Sequence, residues 1–442
     1  MVLLKCQQER EKIMNKGHKL TKLEKSWILY DVGNSAFTLL VATLLPIYFN
    51  ALATSAGLDE NLYISYWGYA GAIATLIVAM IGPICGALSD RKGYKKPIFV
   101  LCVSLGVLGC MALGLATDWL VFLGIFVIAK VGFNSSLVFY DAMLPEVTTP
   151  ERMDDVSTQG YAWGYIGSVI PFVLCLVLVL AGGSFGLDQG TAMVLAFLLT
   201  AVWWAVFTLP LTRQYKQTAY VERGAHPVRD AFRQILSTFR KAKEKKHIFV
   251  YLLAFFFFIN GVYTIIDMAT AYGTDLGLDT TGLLLALLLT QIVAFPCAIL
   301  FGKLSAKHDS AKLMKICIIC YTGITLFAVF LVSQWQFWVL ATLVGMFQGA
   351  IQALSRSYLG KIVSVEQSGE FYGLMDICGK GASIVGMTLV SFVNQITDGL
   401  EVTVFGLRLQ NSNIAVGTLV ILFVVGYVLF CKADKLNKER MQ

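Results

Sequence analysis

Long apolar runs alternate with short polar connectors along most of this chain. Each run is close to the roughly 20 apolar residues that a helix needs to cross a lipid bilayer. The pattern predicts twelve membrane-spanning helices, numbered here as spans 1 to 12 in chain order. They are expected at 26–53, 62–88, 97–117, 119–143, 158–182, 189–210, 248–272, 279–302, 312–332, 335–362, 369–395 and 411–432.

Polar segments divide the spans into two groups of six. The predicted organisation is an N-terminal tail at 1–25, a first six-helix bundle at 26–210, a central loop at 211–247, a second six-helix bundle at 248–432 and a C-terminal tail at 433–442. Within the central loop, apolar residues recur at helical spacing, namely Val228, Phe232, Ile235, Leu236 and Phe239. This spacing predicts an amphipathic helix, for which two interpretations stay open: it lies on the inner membrane surface, or it is a regulatory docking site.

Composition agrees with a membrane protein, and the distribution of charge gives its orientation. Of the 442 residues, 57% are hydrophobic and 14% are charged, with a mean hydropathy of +0.69; a soluble domain carries about a quarter charged residues. Almost all of the 35 Lys and Arg fall in the tails and in the connectors that share a side with them. This bias predicts that both termini are cytoplasmic. It also accounts for the net charge of +7 without nucleic acid as a partner.

The connector between spans 2 and 3 reads GALSDRKGYKKP, from Gly86 to Pro97. Two glycines permit close approach and a free backbone where the chain reverses, and the cations hold the loop on the cytoplasmic side. Its aspartate lies where a helix end meets cations and can pair with a neighbouring element that moves. We therefore predict a conformational latch made of Gly86, Asp90, Arg91, Gly93, Lys95 and Lys96.

This connector resembles the signature loop between helices 2 and 3 of the major facilitator superfamily, Gly-x-x-x-Asp-Arg-x-Gly-x-Lys-Lys. The resemblance implies an all-α membrane protein with twelve transmembrane helices in two six-helix halves, in which helices 1, 4, 7 and 10 line a central cavity. An internal repeat agrees with two related halves. GKLSAKHDSAKL begins at Gly302 in the matching place of the second half, although Ala306 replaces the aspartate.

Charged residues inside the predicted spans mark the candidate chemistry, because a charge at mid-bilayer costs about 2.5–3.5 kcal/mol even on a lenient scale. They are Asp31, Lys130, Asp141, Asp267, Arg356, Asp376 and Lys380. Lys130 and Lys380 fall nearest to the midplane. For the other residues near span ends, interfacial snorkelling stays an alternative to a functional role. For Asp376 and Lys380, four residues apart on one helix face, a structural pair stays an alternative to a direct role in binding.

Polar residues gather on the same spans as several of these charges, as a water-filled path requires. We predict that the pathway for solute and ions is lined by Asp31, Asn34, Lys130, Asn134, Asp267, Gln348, Gln352, Arg356, Asp376 and Lys380.

Four segments narrow the resemblance: YDVGNSAF at 30–37, FYDAMLPEV at 139–147, GMFQGAIQALSRSYLGK at 345–361 and FYGLMDICGKGASIVG at 371–386. They are similar to the vacuolar amino-acid effluxer-like branch of the superfamily. Asp31, Asn34, Gln352 and Arg356 are carried over as signature residues, without individual roles. The lack of long vacuolar-type insertions favours a bacterial member in the cytoplasmic membrane. No proline-glycine antiporter motif is matched on helix 5, so drug/proton exchange is not indicated.

The leading hypothesis is a secondary active transporter that moves a small anionic or zwitterionic solute, such as an amino acid or a related carboxylate, by alternating access. Two midplane lysines favour a solute with a negative group. A buried carboxylate can change its charge during the cycle, so proton coupling is expected, through Asp31 first and Asp267 second.

Two alternatives stay open: a non-transporting membrane sensor or scaffold with the same fold, and an exporter of other small organic molecules. An enzyme is not expected, because all four His fall in tails or loops and no nucleophile or metal motif lies at membrane depth. No catalytic residue, metal or cofactor is therefore predicted. The expected partners are the solute, protons and membrane lipid, and the chain is expected to act as a monomer.

Overall fold

A computed structural model describes residues 19–58, 60–222, 226–240, 244–397, 402–404, 407–409 and 411–441. Within these ranges, twelve helical segments are long and apolar enough to cross a membrane, which confirms the predicted all-α membrane fold. The span helices are Lys22–Ala42 with Leu44–Ser55, Glu60–Ser89, Lys95–Ala112, Trp119–Val147, Met153–Ala181, Gln189–Gln214, Lys246–Asp275, Thr280–Ser305, Ser310–Val329, Gln334–Ile362, Ser368–Ile396, and Asn411–Gly417 with Leu419–Met441.

Shorter elements connect the spans. A helix at Pro227–Arg240, called the central helix below, lies between spans 6 and 7, and an antiparallel pair of strands, Val402–Val404 and Leu407–Leu409, precedes span 12. Single 3₁₀ turns occupy Leu113–Leu115, Gly182–Phe185 and Val365–Gln367.

Several helix boundaries differ from the sequence-based expectation, among them those of spans 1 and 12. Span 1 is broken at Thr43, because Pro46 cannot donate a hydrogen bond and its ring would clash with the carbonyl of Ala42. It begins at Lys22, inside the predicted tail, where Thr21 and Glu24 form a capping box. Residues 1–18 of that tail lie outside the described residues. Span 12 continues through the predicted C-terminal tail to Met441.

Both ends of the described chain lie at one face of the bundle. Glu24 at the start of span 1 pairs with Arg152 at the start of span 5 (2.9 Å). Near the other end of the chain, Arg440 contacts His247 at the start of span 7. We call this the terminal face and the opposite one the far face. That the terminal face is cytoplasmic stays a prediction from the charge distribution.

The buried apolar residues form two separate clusters. One draws on spans 1 to 6 and includes the fully buried Trp27 and Trp204. The other draws on spans 7 to 12 and includes Phe258 and Tyr321, with Ala142 of span 4 added from the first half. Each half therefore has its own core, and the interface between them is free to carry polar groups.

The predicted central helix is present, but its apolar residues do not form a core. Ala231 and Thr238 are buried, where the helix packs against span 2. Val228 and Phe232 are 62% and 58% exposed, and the side chain of Phe239 lies outside the described residues. An apolar stripe that the protein itself leaves uncovered fits the membrane-surface interpretation, which stays a prediction.

Glycines allow the two halves to cross closely near the terminal face. In the crossing of spans 2 and 11, a Cβ on Gly86 would lie 2.2 Å from the carbonyl oxygen of Gly369. In the matching crossing of spans 5 and 8, a Cβ on Gly302 would lie 2.3 Å from the hydroxyl of Thr158. The glycines that begin the two repeated connectors therefore serve the same purpose in both halves.

We expect Gly86→Ala to loosen the crossing of spans 2 and 11. The added methyl group would overlap backbone, which cannot move aside cheaply, so we expect a cost to the closed terminal face of about 1–3 kcal/mol. The measurement is thermal unfolding in detergent, together with the labelling rate of a single cysteine placed at the terminal face. Gly82→Ala is the matched control one turn earlier, where a Cβ meets nothing within 4 Å. Equal behaviour of the two variants would contradict the close-crossing explanation.

Candidate functional site

A cavity with two lobes lies between the two halves. The large lobe has a volume of about 380 Å³ and the small lobe about 250 Å³. All predicted pathway residues except Lys130 line one or both lobes. The large lobe includes Asp31, Asn34, Asp267 and Gln348; the small lobe includes Asn134, Asp376 and Lys380; both share Leu137, Asp141, Tyr161, Tyr263, Gln352 and Arg356.

Arg356 of span 10 is held entirely by the first half. Its side chain makes five hydrogen bonds: Nε donates to the hydroxyl of Ser157, Nη2 to the Ser157 carbonyl, Nη1 to Asp141 at 3.0 Å, and both Nη atoms to Asp31 at 3.5 Å. A guanidinium has five N–H donors, so each has a partner. Arg356 is 3% exposed. Interfacial snorkelling is therefore the wrong explanation for this residue.

Aromatic rings complete the surroundings of this guanidinium. Its carbon lies 4.5 Å from the ring centroids of Trp27 and Tyr161, and 5.4 Å from that of Tyr140. Cation–π contacts of this kind stabilise a desolvated cation by about 2 kcal/mol. Sequence reasoning missed all three rings, because aromatic residues in apolar spans look like ordinary core.

Asp31 of span 1 is buried and bonded on both oxygens. Tyr140 donates to Oδ2 at 2.7 Å, and Asn34 donates to Oδ1 at 3.3 Å. Span 5 approaches closely because it carries glycine at this level: a Cβ on Gly160 would lie 2.6 Å from Asp31 Oδ2. Snorkelling is thus also wrong for Asp31, whose carboxylate faces protein.

The remaining charged residues divide between the lobes. Asp376 and Lys380 form the expected i,i+4 ion pair in the small lobe. Asp267 lines the large lobe and is exposed. Lys130 lines neither lobe; its ammonium lies over the ring of Phe126 and interacts electrostatically with Asp267 and Lys380. Depth along the helix was predictable for Lys130, whereas the direction in which it points was not.

At the terminal face, the connector between spans 2 and 3 is bound to the start of span 11. Asp90 accepts hydrogen bonds from the backbone N–H groups of Gly369 and Glu370, at 2.8 and 2.9 Å. These are first-turn donors of a helix, where a negative charge is favoured. Lys95 is fully buried and donates to Glu146 (2.8 Å) and Ser368 (2.9 Å).

The central helix takes part in this contact. Arg91 donates to the side-chain oxygen of Gln234 (2.9 Å), which in turn donates to Glu370 (2.7 Å). Gly93 has the left-handed φ of +80° that the turn requires. Lys96 forms no ion pair within the described chain, so the geometry assigns the cationic part of the predicted latch to Arg91 and Lys95.

A second contact closes the other side of the terminal face. Asp154 at the start of span 5 accepts hydrogen bonds from Lys361 and Ser357 of span 10, each at 2.5 Å, and from the hydroxyl of Ser310 at the start of span 9. The repeated connector has Ala306 where the first has Asp90, and the acid comes instead from span 5. Sequence reasoning missed Asp154, because an acidic residue at a helix start is usually a dipole partner.

With both contacts formed, the cavity is closed toward the terminal face. The large lobe runs along span 1 from Asp31 through Ser35 to the exposed Thr38, away from that face. Two six-helix halves surround a charged cavity that is closed toward the terminal face. A relative that is 38% identical over 93% of this chain is described as an MFS-type transporter, and a family model of effluxers matches residues 21–441, so the chain is a membrane transporter of the major facilitator superfamily and not an enzyme. The fold matches the crystal structure of the human organic anion transporter MFSD10 (TETRAN) with a TM-score of 0.68, over 92% of this chain and 98% of that one, at 14% identity.

Residues 21–441 match the family described as "Vacuole effluxer Atg22 like", and the chain belongs to this family. It is 38% identical over 416 residues to the "Uncharacterized MFS-type transporter YxiO" of Bacillus subtilis (strain 168), covering 93% of this chain and 94% of that protein. It is 25% identical over 270 residues to the "Autophagy-related protein 22-1" of Penicillium rubens, covering 54% of this chain and 44% of the fungal protein. The match thus spans less than half of that relative.

We expect the contact of Asp90 with span 11 to depend on pH. Burial raises the pKa of Asp90 to about 7, against the opposing effect of Lys95 and of the two N–H groups. An aspartate in water has a pKa of about 3.9. Protonation therefore favours the closed face: the contribution is fully present below about pH 4 and is lost as the pH rises toward 7.

The measurement is the distance between spin labels on the 2–3 and 8–9 connectors, at pH 5.5 and pH 8. We expect a larger open fraction at pH 8. Asp90→Asn, which is neutral at both values, should remove most of this difference. If the variant kept the full pH response, Asp90 would not be its source.

Proposed function

We propose that this transporter moves a small zwitterionic solute, an amino acid or a closely related molecule. The observation that carries the proposal is that the cavity presents charges of both signs. Its lining includes the cations Arg356 and Lys380 and the carboxylates Asp31, Asp141, Asp267 and Asp376. A solute with one pole of each sign adds no net charge to this cavity and can be complementary to both kinds of group. The large lobe, at about 380 Å³, is within the range of roughly 300–1,000 Å³ typical of small-molecule sites.

Alternating access follows from the position of the contacts between the halves. The contacts of Asp90 and Asp154 both hold the terminal face shut, and they involve different pairs of spans. Opening that face separates both, while the solute stays between the halves. We propose that the terminal face is cytoplasmic and that the contacts of Asp90 and Asp154 close the cavity to the cytoplasm. The family description as an effluxer favours export.

Proton coupling is proposed to act through Asp31. A protonated Asp31 no longer attracts Arg356 electrostatically, so the guanidinium loses part of its hold on the first half. Release of Arg356 is required before span 10 can move away from spans 1, 4 and 5. Asp267, exposed in the large lobe, is the second candidate for the proton.

The solute class is tested with purified protein in proteoliposomes. Vesicles loaded with unlabelled L-alanine are expected to take up labelled L-alanine by counterflow, with competition from other zwitterionic amino acids. Succinate and glucose should compete at least tenfold less well. Preferred transport of succinate would make the solute an anion. Absence of flux with every compound would favour the sensor or scaffold alternative.

The coupling role is tested with Asp31→Asn. The variant keeps an acceptor for Tyr140 but cannot exchange a proton, so proton-driven accumulation should fall to the level of simple equilibration while alanine exchange continues. Asp267→Asn is the comparison and should retain most of the accumulation. If Asp31→Asn accumulates solute as well as the unmodified protein does, Asp31 is removed from the coupling mechanism. Loss of accumulation in Asp267→Asn alone would assign the coupling role to Asp267.

A further inference from the structure

Two buried hydrogen-bond donors in the large lobe have no partner among the described residues. They are the hydroxyl of Tyr165 in span 5 and the side-chain nitrogen Nε2 of Gln348 in span 10. Gln348 is 3% exposed. Buried polar groups in proteins are almost always bonded, so a pair of unsatisfied donors lining one cavity indicates a place for an acceptor that arrives from outside.

The two donors belong to neighbouring parts of the interface between the halves. Tyr165 packs on the backbone of span 10 at Gly349, the residue after Gln348. A Cβ on Gly349 would lie 2.9 Å from the Tyr165 ring carbon Cε2 and 3.6 Å from its hydroxyl oxygen. Because Gly349 has no side chain, the Tyr165 ring can reach span 10 beside Gln348.

The two cationic donors of the cavity, and Asn34, are already engaged. Arg356 lines the same lobe, but each of its N–H groups is bonded to Asp31, Asp141 or Ser157. Asn34 donates to the carbonyl of Tyr30 and to Asp31. Lys380 belongs to the small lobe and is paired with Asp376. Arg356 therefore contributes positive potential to the large lobe without an N–H to donate.

We propose, resting on the zwitterion transport proposed above, that Tyr165 and Gln348 form the subsite for the carboxylate of the solute. One carboxylate oxygen accepts from the tyrosine of the first half and the other from the glutamine of the second half. The amino group of the same solute then faces the acids of the lobe, of which Asp141 has a side chain that is 30% exposed. A bound carboxylate consequently joins the two halves at this level.

The test compares Tyr165→Phe and Gln348→Leu with the unmodified protein in the L-alanine assay, using L-alaninamide as a competitor that lacks the carboxylate. In the unmodified protein, L-alanine should compete at least tenfold better than L-alaninamide. Each variant should raise the KM for L-alanine about five- to twentyfold with a maximal rate within about twofold. The double variant should bring the two competitors to within about threefold of each other.

Tyr321→Phe is the matched control. Its hydroxyl is also buried and unpartnered, but Tyr321 belongs to the second-half core, stacks on Phe423 and lines neither lobe. It should leave the KM and the discrimination unchanged. Gly349→Ala is a second route to the same result, because its methyl group would displace the Tyr165 ring while both donors remain. Thermal unfolding of each variant within a few degrees of the unmodified protein shows that it is folded.

The outcomes separate the two proposals. If L-alanine is transported but the variants keep its preference over L-alaninamide, the carboxylate subsite is elsewhere and only this inference is overturned. An equal loss in Tyr321→Phe would overturn it as well, by showing a general effect of removing a buried hydroxyl. If the unmodified protein transports glucose and no zwitterion, the proposed function fails and the subsite fails with it.

Discussion

One buried guanidinium, that of Arg356, determines how the centre of this protein is built. A cation in the membrane interior is tolerated only where protein groups replace its water. Here the hydroxyl and carbonyl of Ser157, two carboxylates and three aromatic rings do so. The arginine belongs to the second half and these partners belong to the first. Separation of the halves at this level and hydration of Arg356 are therefore a single event, and whatever weakens one promotes the other.

At the terminal face, too, protein groups replace the water around buried charges, with fewer charges in each contact. Around Lys95, the carboxylates of Asp90 and Glu146 meet buried donors, and Glu146 also accepts from the backbone of Thr218 and Ala219 in the linker. Asp154 accepts hydrogen bonds from one lysine and two serines. Breaking a buried pair leaves an uncompensated charge, so each contact stays closed until water replaces the partner. The central loop therefore takes part in the contact between the 2–3 connector and span 11.

Sequence alone predicted the spans well, because the length of an apolar run is set by membrane thickness. It also predicted a charged path, since charges in a bilayer require protein or water around them. The interaction partners of these charges could not be predicted, because Asp31 and Arg356 are 325 residues apart in the chain and no local spacing rule connects them. The stacked rings of Trp27 and Tyr140 resemble core residues until the arginine is placed beside them. For Lys130, depth followed from residue count, but its direction depends on packing against Phe126.

The distribution of charge between the halves has an evolutionary consequence. The repeat indicates that an ancestral half once existed in two like copies, which suits assembly from identical chains. Today the first half supplies Asp31, Asp141 and Asp154 to the interface, while the second supplies Arg356 and Lys361. Two first halves would bring acid against acid, and two second halves base against base. Divergence has thus made the two halves complementary in charge at these contacts, so each half meets its partner charges in the other half and not in a copy of itself.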